Sequence, residues 1–223
     1  MKVSKRIANM KVLAYFLFLF VAFSSIEGQR IGKIAPDKEP EFFPPNSWGA
    51  DLMFGEGGFG LGTFYKRSFS RTLTGVIDFS ISESKDEREM EYFDYWGNTF
   101  VYGKVNRIFL IPVNLGLQYR LFADNITETL RPYVSVGFGP TFVITTPYEK
   151  EFFSSFGDAK MHYAAGGYIG FGANFGESKS NLVGLNARYY YISIFGDGVE
   201  SMQSSIRKNF GHFYLSLSLG IMY

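Results

Sequence analysis

The chain has 223 residues and a formal net charge of +1, so its length suits one domain and its charge gives no case for a nucleic-acid partner. It has no cysteine, which excludes disulfides, thiolate metal sites, a cysteine nucleophile and a lipid-anchored amino-terminal cysteine. Its 25 Phe, 15 Tyr and 25 Gly suit all-β structure, where aromatics cover faces and interfaces and glycine permits tight turns.

The chain opens with Lys2, Lys5, Arg6 and Lys11 around the start of an apolar run, Val12 to Phe23, followed by Ser24, Ser25 and Gly28. This pattern predicts a secretory signal peptide over residues 1–28, cleaved after Gly28 or Ser25. The rest has no apolar run near the ~20 residues that a spanning helix needs, so any membrane crossing must use strands. Residues 29–46 carry four prolines and mixed charges. They predict an irregular periplasmic leader, with Phe42 and Phe43 as candidates to tuck against a barrel mouth.

Residues 47–223 contain eight alternating segments. The first is about Ser47 to Gly55, with Trp48, Ala50, Leu52 and Phe54 on one face. A glycine-rich tip leads to the second, Gly58 to Lys66, with Phe59, Leu61 and Tyr65. The third, Thr72 to Ser82, shows Ile77, Phe79 and Ile81. The fourth, Arg107 to Leu121, shows Phe109, Ile111, Leu115, Leu117 and Tyr119. The fifth, Pro132 to Thr145, shows Val134, Val136, Phe138 and Phe142. The sixth, His162 to Phe175, shows Tyr163, Ile169 and Phe171. The seventh, Asn181 to Ile194, shows Val183, Leu185, Tyr189 and Tyr191. The eighth, Gly211 to Tyr223, shows Phe213, Leu215, Leu217, Leu219, Ile221 and Tyr223. Side chains of a strand alternate between faces, so each segment has one apolar and one polar or small side. Such repeats, at lengths near the ~9–11 residues a tilted strand needs to cross a bilayer, predict an all-β fold: an eight-stranded antiparallel up-and-down transmembrane barrel.

The connections alternate in length. Short links are expected at Arg67–Arg71 and Gly176–Ser180 and a middling one at Phe122–Arg131, with the tight Gly55–Gly58 tip as the one exception on the outer side. Long ones are expected at Glu83–Asn106, Thr146–Met161 and Phe195–Phe210. Short periplasmic turns and longer outer loops give that alternation, with both termini periplasmic. Trp48, Tyr65, Tyr119, Phe175 and Tyr223 then fall toward one end of the apolar face. Tyr163, Tyr189, Tyr191 and Phe213 fall toward the other. Two aromatic girdles are what membrane interfaces select.

The opposite face holds Asp51, Lys66, Asp78, Asn114, Gln118, Arg120, Asn174, Asn186 and Arg188. An eight-stranded barrel is only wide enough for side chains to fill it. These residues therefore predict a plugged polar lumen of ion pairs and hydrogen bonds. Arg188 and Asp78 are expected at one height in the outer half, and Asp51, Lys66 and Arg120 near the periplasmic mouth. Gly137, Gly139, Gly166, Gly170 and Gly172 are expected to make room for Tyr168, Tyr190 or an arginine from another strand.

Other motifs carry little. Gly55, Gly57 and Gly60 fit a dinucleotide fingerprint, but no helix follows, so the match reads as a hairpin tip. Asn125-Ile126-Thr127 fits a glycosylation acceptor in a predicted periplasmic turn. His162 and His212 have no metal-binding spacing and no visible serine partner. No catalytic residue, cofactor or metal ligand is expected. The charged run Lys85 to Glu91, followed by Tyr92, Phe93, Tyr95 and Trp96, marks the loop at 83–106 as the candidate for a surface ligand.

The signal segment, the strand Ile111 to Arg120, the Pro132-Tyr133-Val134 strand start and the terminal Leu215 to Tyr223 together resemble small outer-membrane β-barrels of the OmpA/OmpX type. They are also similar to the outer-membrane β-barrel domain proteins of Bacteroidetes-like bacteria. The resemblance implies an integral outer-membrane protein among lipid and lipopolysaccharide. It implies that Leu217, Leu219, Ile221 and Tyr223 form the signal read by the barrel-assembly machinery. It also implies a structural or surface-interaction role, with a narrow pore or carrier for a small or apolar solute as the alternative and a lipid A-modifying enzyme as a lesser one. A soluble barrel of the lipocalin kind, with its apolar face inward, is the rival fold. It would need Lys and Glu outside, where this chain has Gly, Ser, Asn and Tyr.

Overall fold

The computed structural model describes residues 43–223, apart from 87, 98, 125, 127–129 and 176–179. The expected signal peptide, the leader as far as residue 42, the Asn125 motif and most of the turn at 176–180 lie outside the described residues.

In chain order the elements are β1 (Asn46–Gly55), β2 (Gly58–Ser68), β3 (Leu73–Glu83), β4 (Glu91–Phe93), β5 (Thr99–Val101), β6 (Asn106–Arg120) and β7 (Leu130–Pro147). A single helical turn, α1 (Phe152–Ser155), follows and runs into a 3₁₀ turn at Phe156–Asp158. Then come β8 (Lys160–Phe175), β9 (Asn181–Ile194), β10 (Val199–Met202), β11 (Ser205–Arg207) and β12 (Asn209–Met222). Eight of the strands close into one antiparallel barrel in the order β1-β12-β9-β8-β7-β6-β3-β2. All eight predicted segments appear, with ends within about two residues of those read from the sequence.

Alternation explains the closure. β1 and β12 pair from Ser47↔Met222 to Gly55↔Tyr214, and the Asn46 and Tyr223 backbones exchange hydrogen bonds of 3.2 and 2.9 Å. Closing the sheet leaves no edge strand with unpaired backbone groups. The β1–β2 hairpin turns at Glu56-Gly57, where Gly58 takes φ +116°, a conformation that side chains with a Cβ rarely adopt.

The apolar faces point outward. Trp48, Tyr65, Tyr119, Tyr163, Tyr189, Tyr191, Phe213 and Tyr223 are all exposed, as are Leu115, Phe138, Ile169, Leu185 and Leu215. Neighbours on this face meet across strands. Phe54 and Phe59 lie edge to face at 5.3 Å, and Phe142 and Tyr163 at 5.9 Å. An apolar belt of this extent far exceeds the few hundred Å² that a soluble monomer leaves in water.

Three connections depart from the predicted loops. β4 and β5 form a hairpin within the connection after β3, β10 and β11 form another after β9, and α1 interrupts the connection after β7. Phe152 of α1 and Phe156 of the 3₁₀ turn pack on Phe109 at 6.1 and 5.8 Å.

Candidate functional site

The interior is built around Arg188 on β9. Its Nη2 lies 3.6 Å from Asp51 Oδ2, and its Nη1 lies 3.8 Å from Asp78 Oδ1. Nη1 also donates to the Tyr190 hydroxyl at 3.2 Å, and the guanidinium lies 4.7 Å from the centre of the Tyr168 ring. Asn114 donates to Asp78 at 3.0 Å. Ser218 donates to Asp51 and accepts from Asn186 at 3.0 Å. Asp51, Asp78, Asn114, Asn186, Arg188 and Ser218 are all buried. One arginine therefore answers two carboxylates contributed by β1 and β3.

Small residues across the ladder make space for this cluster. A Cβ at Gly170, which pairs with Arg188, would lie 2.9 Å from Arg188 Cγ. A Cβ at Gly137 would lie 2.4 Å from the Tyr168 ring. The ring of Tyr168 continues through Tyr190 (5.2 Å) and Tyr214 (5.9 Å further). Met53 completes this layer.

Two expectations need correction. Asp51 does not stand apart with Lys66 and Arg120 near one mouth; it shares Arg188 with Asp78. Barrel strands tilt and stagger, so equal counts from strand ends do not mean equal heights. Nor is the interior polar throughout. Toward the loop end it is filled by Ile108, Leu110, Val143, Ala164, Ile192, Ile194 and Phe210, with Val199 from the β10–β11 hairpin. A smaller apolar group, Phe64, Leu182 and Met222 with Phe43 against it, lies among residues of the turn end.

Lys66, Gln118 and Arg120 fall at that turn end, around a cavity of about 330 Å³ that Phe43, Arg131 and Tyr133 also line. Sequence reading missed one buried pair. Ser84 Oγ and His212 Nε2 lie 2.7 Å apart, 128 positions apart in the chain, and barrel closure alone brings them together. The adjoining cavity measures about 10 Å³, too small for a substrate.

The outer connections fold on one another. Lys104 lies 2.6 Å from Glu89 and 3.8 Å from Glu83. Arg88 reaches both Asp86, at 3.2 Å, and Ser205. Arg207 donates to the Lys85 carbonyl at 3.1 Å, and the Gln203 amide to the Gly103 carbonyl at 2.8 Å. These contacts tie the β4–β5 connection to the β10–β11 hairpin. The hydrogen bond to Glu91 at 2.8 Å pushes the Lys85 ammonium up from its ordinary value. Burial pushes the Asp86 carboxyl up, but hydrogen bonds from the Arg88 side chain and amide outweigh it and hold the group below its ordinary value. On the β4–β5 connection Tyr92, Phe100 and Tyr102 form an aromatic cluster with centroids 5.0–6.0 Å apart, and Tyr95 and Trp96 stand 94% and 81% exposed.

No family model matches the chain, and no curated protein matches its sequence. Solved structures do. The Neisserial surface protein A is 12% identical with a TM-score of 0.49, over 82% of this chain and 100% of that one. The amino-terminal barrel domain of OprF from Pseudomonas aeruginosa is 15% identical with a TM-score of 0.42, over 81% and 98%. The chain is similar to small outer-membrane barrels. A third such structure, the attachment invasion locus protein Ail of Yersinia pestis, is 13% identical with a TM-score of 0.40, over 79% and 95%.

Proposed function

We propose that this chain is an integral outer-membrane barrel with a structural or surface-interaction role and a closed lumen. The observation that carries the reading is the sorting of the two faces: exposed Leu, Ile, Phe and Tyr outside, and Arg188 with its two carboxylates sealed inside. Hydrocarbon rewards that arrangement and water penalises it. The partners are then outer-membrane lipid and lipopolysaccharide. During biogenesis the assembly machinery would read the outward Leu217, Leu219, Ile221 and Tyr223 of β12. The surface-interaction site is the 83–106 connection, where Tyr92, Tyr95, Trp96 and Tyr102 are offered by a braced hairpin. Aromatics so presented bury large area at low cost in side-chain freedom.

Closure is supported by two layers, the tyrosine–Arg188 layer and the apolar group around Phe210. The Ser84–His212 pair is buried inside the barrel, away from any acyl chain, which speaks against a lipid A-modifying activity. Planar-bilayer recording tests the reading. The expected result is no conductance for the full chain, and surface adhesion that is lost when residues 91–101 are replaced by a short glycine-serine turn. Steady single-channel conductance in the unaltered chain would favour the narrow pore instead.

A further inference from the structure

The turn-end cavity is unlike the rest of the interior. It is lined by Lys66, Arg71, Arg120 and Arg131, with Gln118 beside them, and by no Asp or Glu among the described residues. Two strands, β2 and β6, and the turn or strand starts beside them send these cations to one space. Its volume of about 330 Å³ would hold roughly ten waters at their liquid volume.

Lys66 is the telling residue. It is 3% exposed, and its Nζ has no hydrogen-bond partner among the described residues. Its contacts are the rings of Phe64 at 4.4 Å and Tyr133 at 5.7 Å. No carboxylate of the described residues lies within ion-pair distance of it. An ammonium has three protons to donate, and burying it without an acceptor is heavily penalised. Arg188 on the same interior shows the contrast, being flanked by both carboxylates of the lumen. Arg120 repeats the pattern. Its Nη2 donates to the Ile126 carbonyl at 2.9 Å, while its Nε is buried without a partner among the described residues. Arg71 leans on Ala123 and Asp124 at the cavity's rim, at 3.5 and 3.6 Å.

We propose that this cavity is a binding site for a small, soluble phosphate-bearing solute, held by Lys66 and Arg120 with Gln118 and the rim arginine around it. Several cations converging from different strands suit an anion with many oxygens. Guanidinium forks pair with such oxygens in two-pronged fashion, and a lysine adds a point charge.

The test uses the full chain in an uncharged maltoside detergent, titrated with inorganic phosphate and with pyrophosphate, followed by calorimetry and phosphorus NMR. Saturable binding is expected, weakening as salt is raised. Lys66→Met and Arg120→Gln should each weaken it at least tenfold. Arg107→Gln, at the opposite end of the barrel, should leave it unchanged. Heat-dependent gel mobility and circular dichroism establish that each variant is folded, and Arg120→Gln, at a less buried position, stands if Lys66→Met does not fold. Absence of saturable binding, or binding indifferent to both substitutions, overturns the proposal. So does binding of short-chain phosphatidic acid without binding of inorganic phosphate, which would make the ligand a lipid headgroup.

Discussion

Removing Arg188 should damage the barrel more than any other single interior change. Arg188→Met keeps a flexible chain of similar reach but leaves Asp51 and Asp78 facing each other without a cation between them. The lost contacts are at 3.6 and 3.8 Å. At an effective dielectric of about 20, each is worth roughly 4–5 kcal/mol of Coulomb energy before desolvation is counted. The net loss is smaller, because the carboxylates can take up protons and because the arginine's own burial was unfavourable. Breaking one partner out of a buried pair costs about 3–5 kcal/mol in practice. That range is the expected loss of unfolding free energy, read by urea unfolding in lipid vesicles with tryptophan fluorescence. Adding Asp51→Asn and Asp78→Asn to the same variant should restore most of it, since no unpaired carboxylate would remain in that layer. A loss below about 1 kcal/mol for Arg188→Met, or no recovery in the triple variant, would refute the idea that charge compensation holds this layer together.

Three other outcomes follow from the same geometry. Leu185→Arg puts a charge on the outward face between Leu217 and Ala173, where Leu185 is 55% exposed, and should cost about 2–4 kcal/mol in vesicles while leaving β-structure intact. Unchanged stability would argue against hydrocarbon at that spot. Gly137→Val forces a Cβ to within 2.4 Å of the Tyr168 ring and should cost about 1–3 kcal/mol, relieved when Tyr168→Leu is added; a neutral effect would mean that the ring has room to move. In the outer connection, Asp86 is held below its ordinary value, so its contribution is present above the unfolded-state value and disappears as pH falls through the lower, folded one. The Arg88 amide, which donates to Asp86 at 3.1 Å, should report this in NMR by a titration midpoint below that of a free aspartate. A midpoint at or above it would contradict the bracing.

Much of the barrel was legible because a strand's period of two survives in a single sequence. β12 alternates from Gly211 to Tyr223, and its register against β1 and β9 follows from keeping every Leu on one side. The hairpins at Glu91–Val101 and Val199–Arg207 were not legible. Strands of three or four residues are too short to display a period, and their stability comes from contacts such as Arg207 with the Lys85 carbonyl. The apolar loop-end interior did leave a signal. Ile108 to Val113 is apolar at every position, so alternation fails there and both faces must be buried or lipid-facing. The Asp51–Arg188 contact left none, because strand stagger in a closed barrel depends on all eight registers together. The Ser84–His212 pair was equally invisible, for it joins the end of β3 to the start of β12 across the lumen.

Everything rests on what meets the outward aromatics and aliphatics, and Trp48 can report it directly. The chain has two tryptophans, so Trp96→Phe leaves Trp48 alone, 52% exposed beside Tyr65 and Ile221. In bilayers made with brominated acyl chains, its fluorescence should be strongly quenched, and aqueous iodide should have little effect. Quenching by iodide without quenching by bromine would mean that this face meets water, and the membrane account would fail.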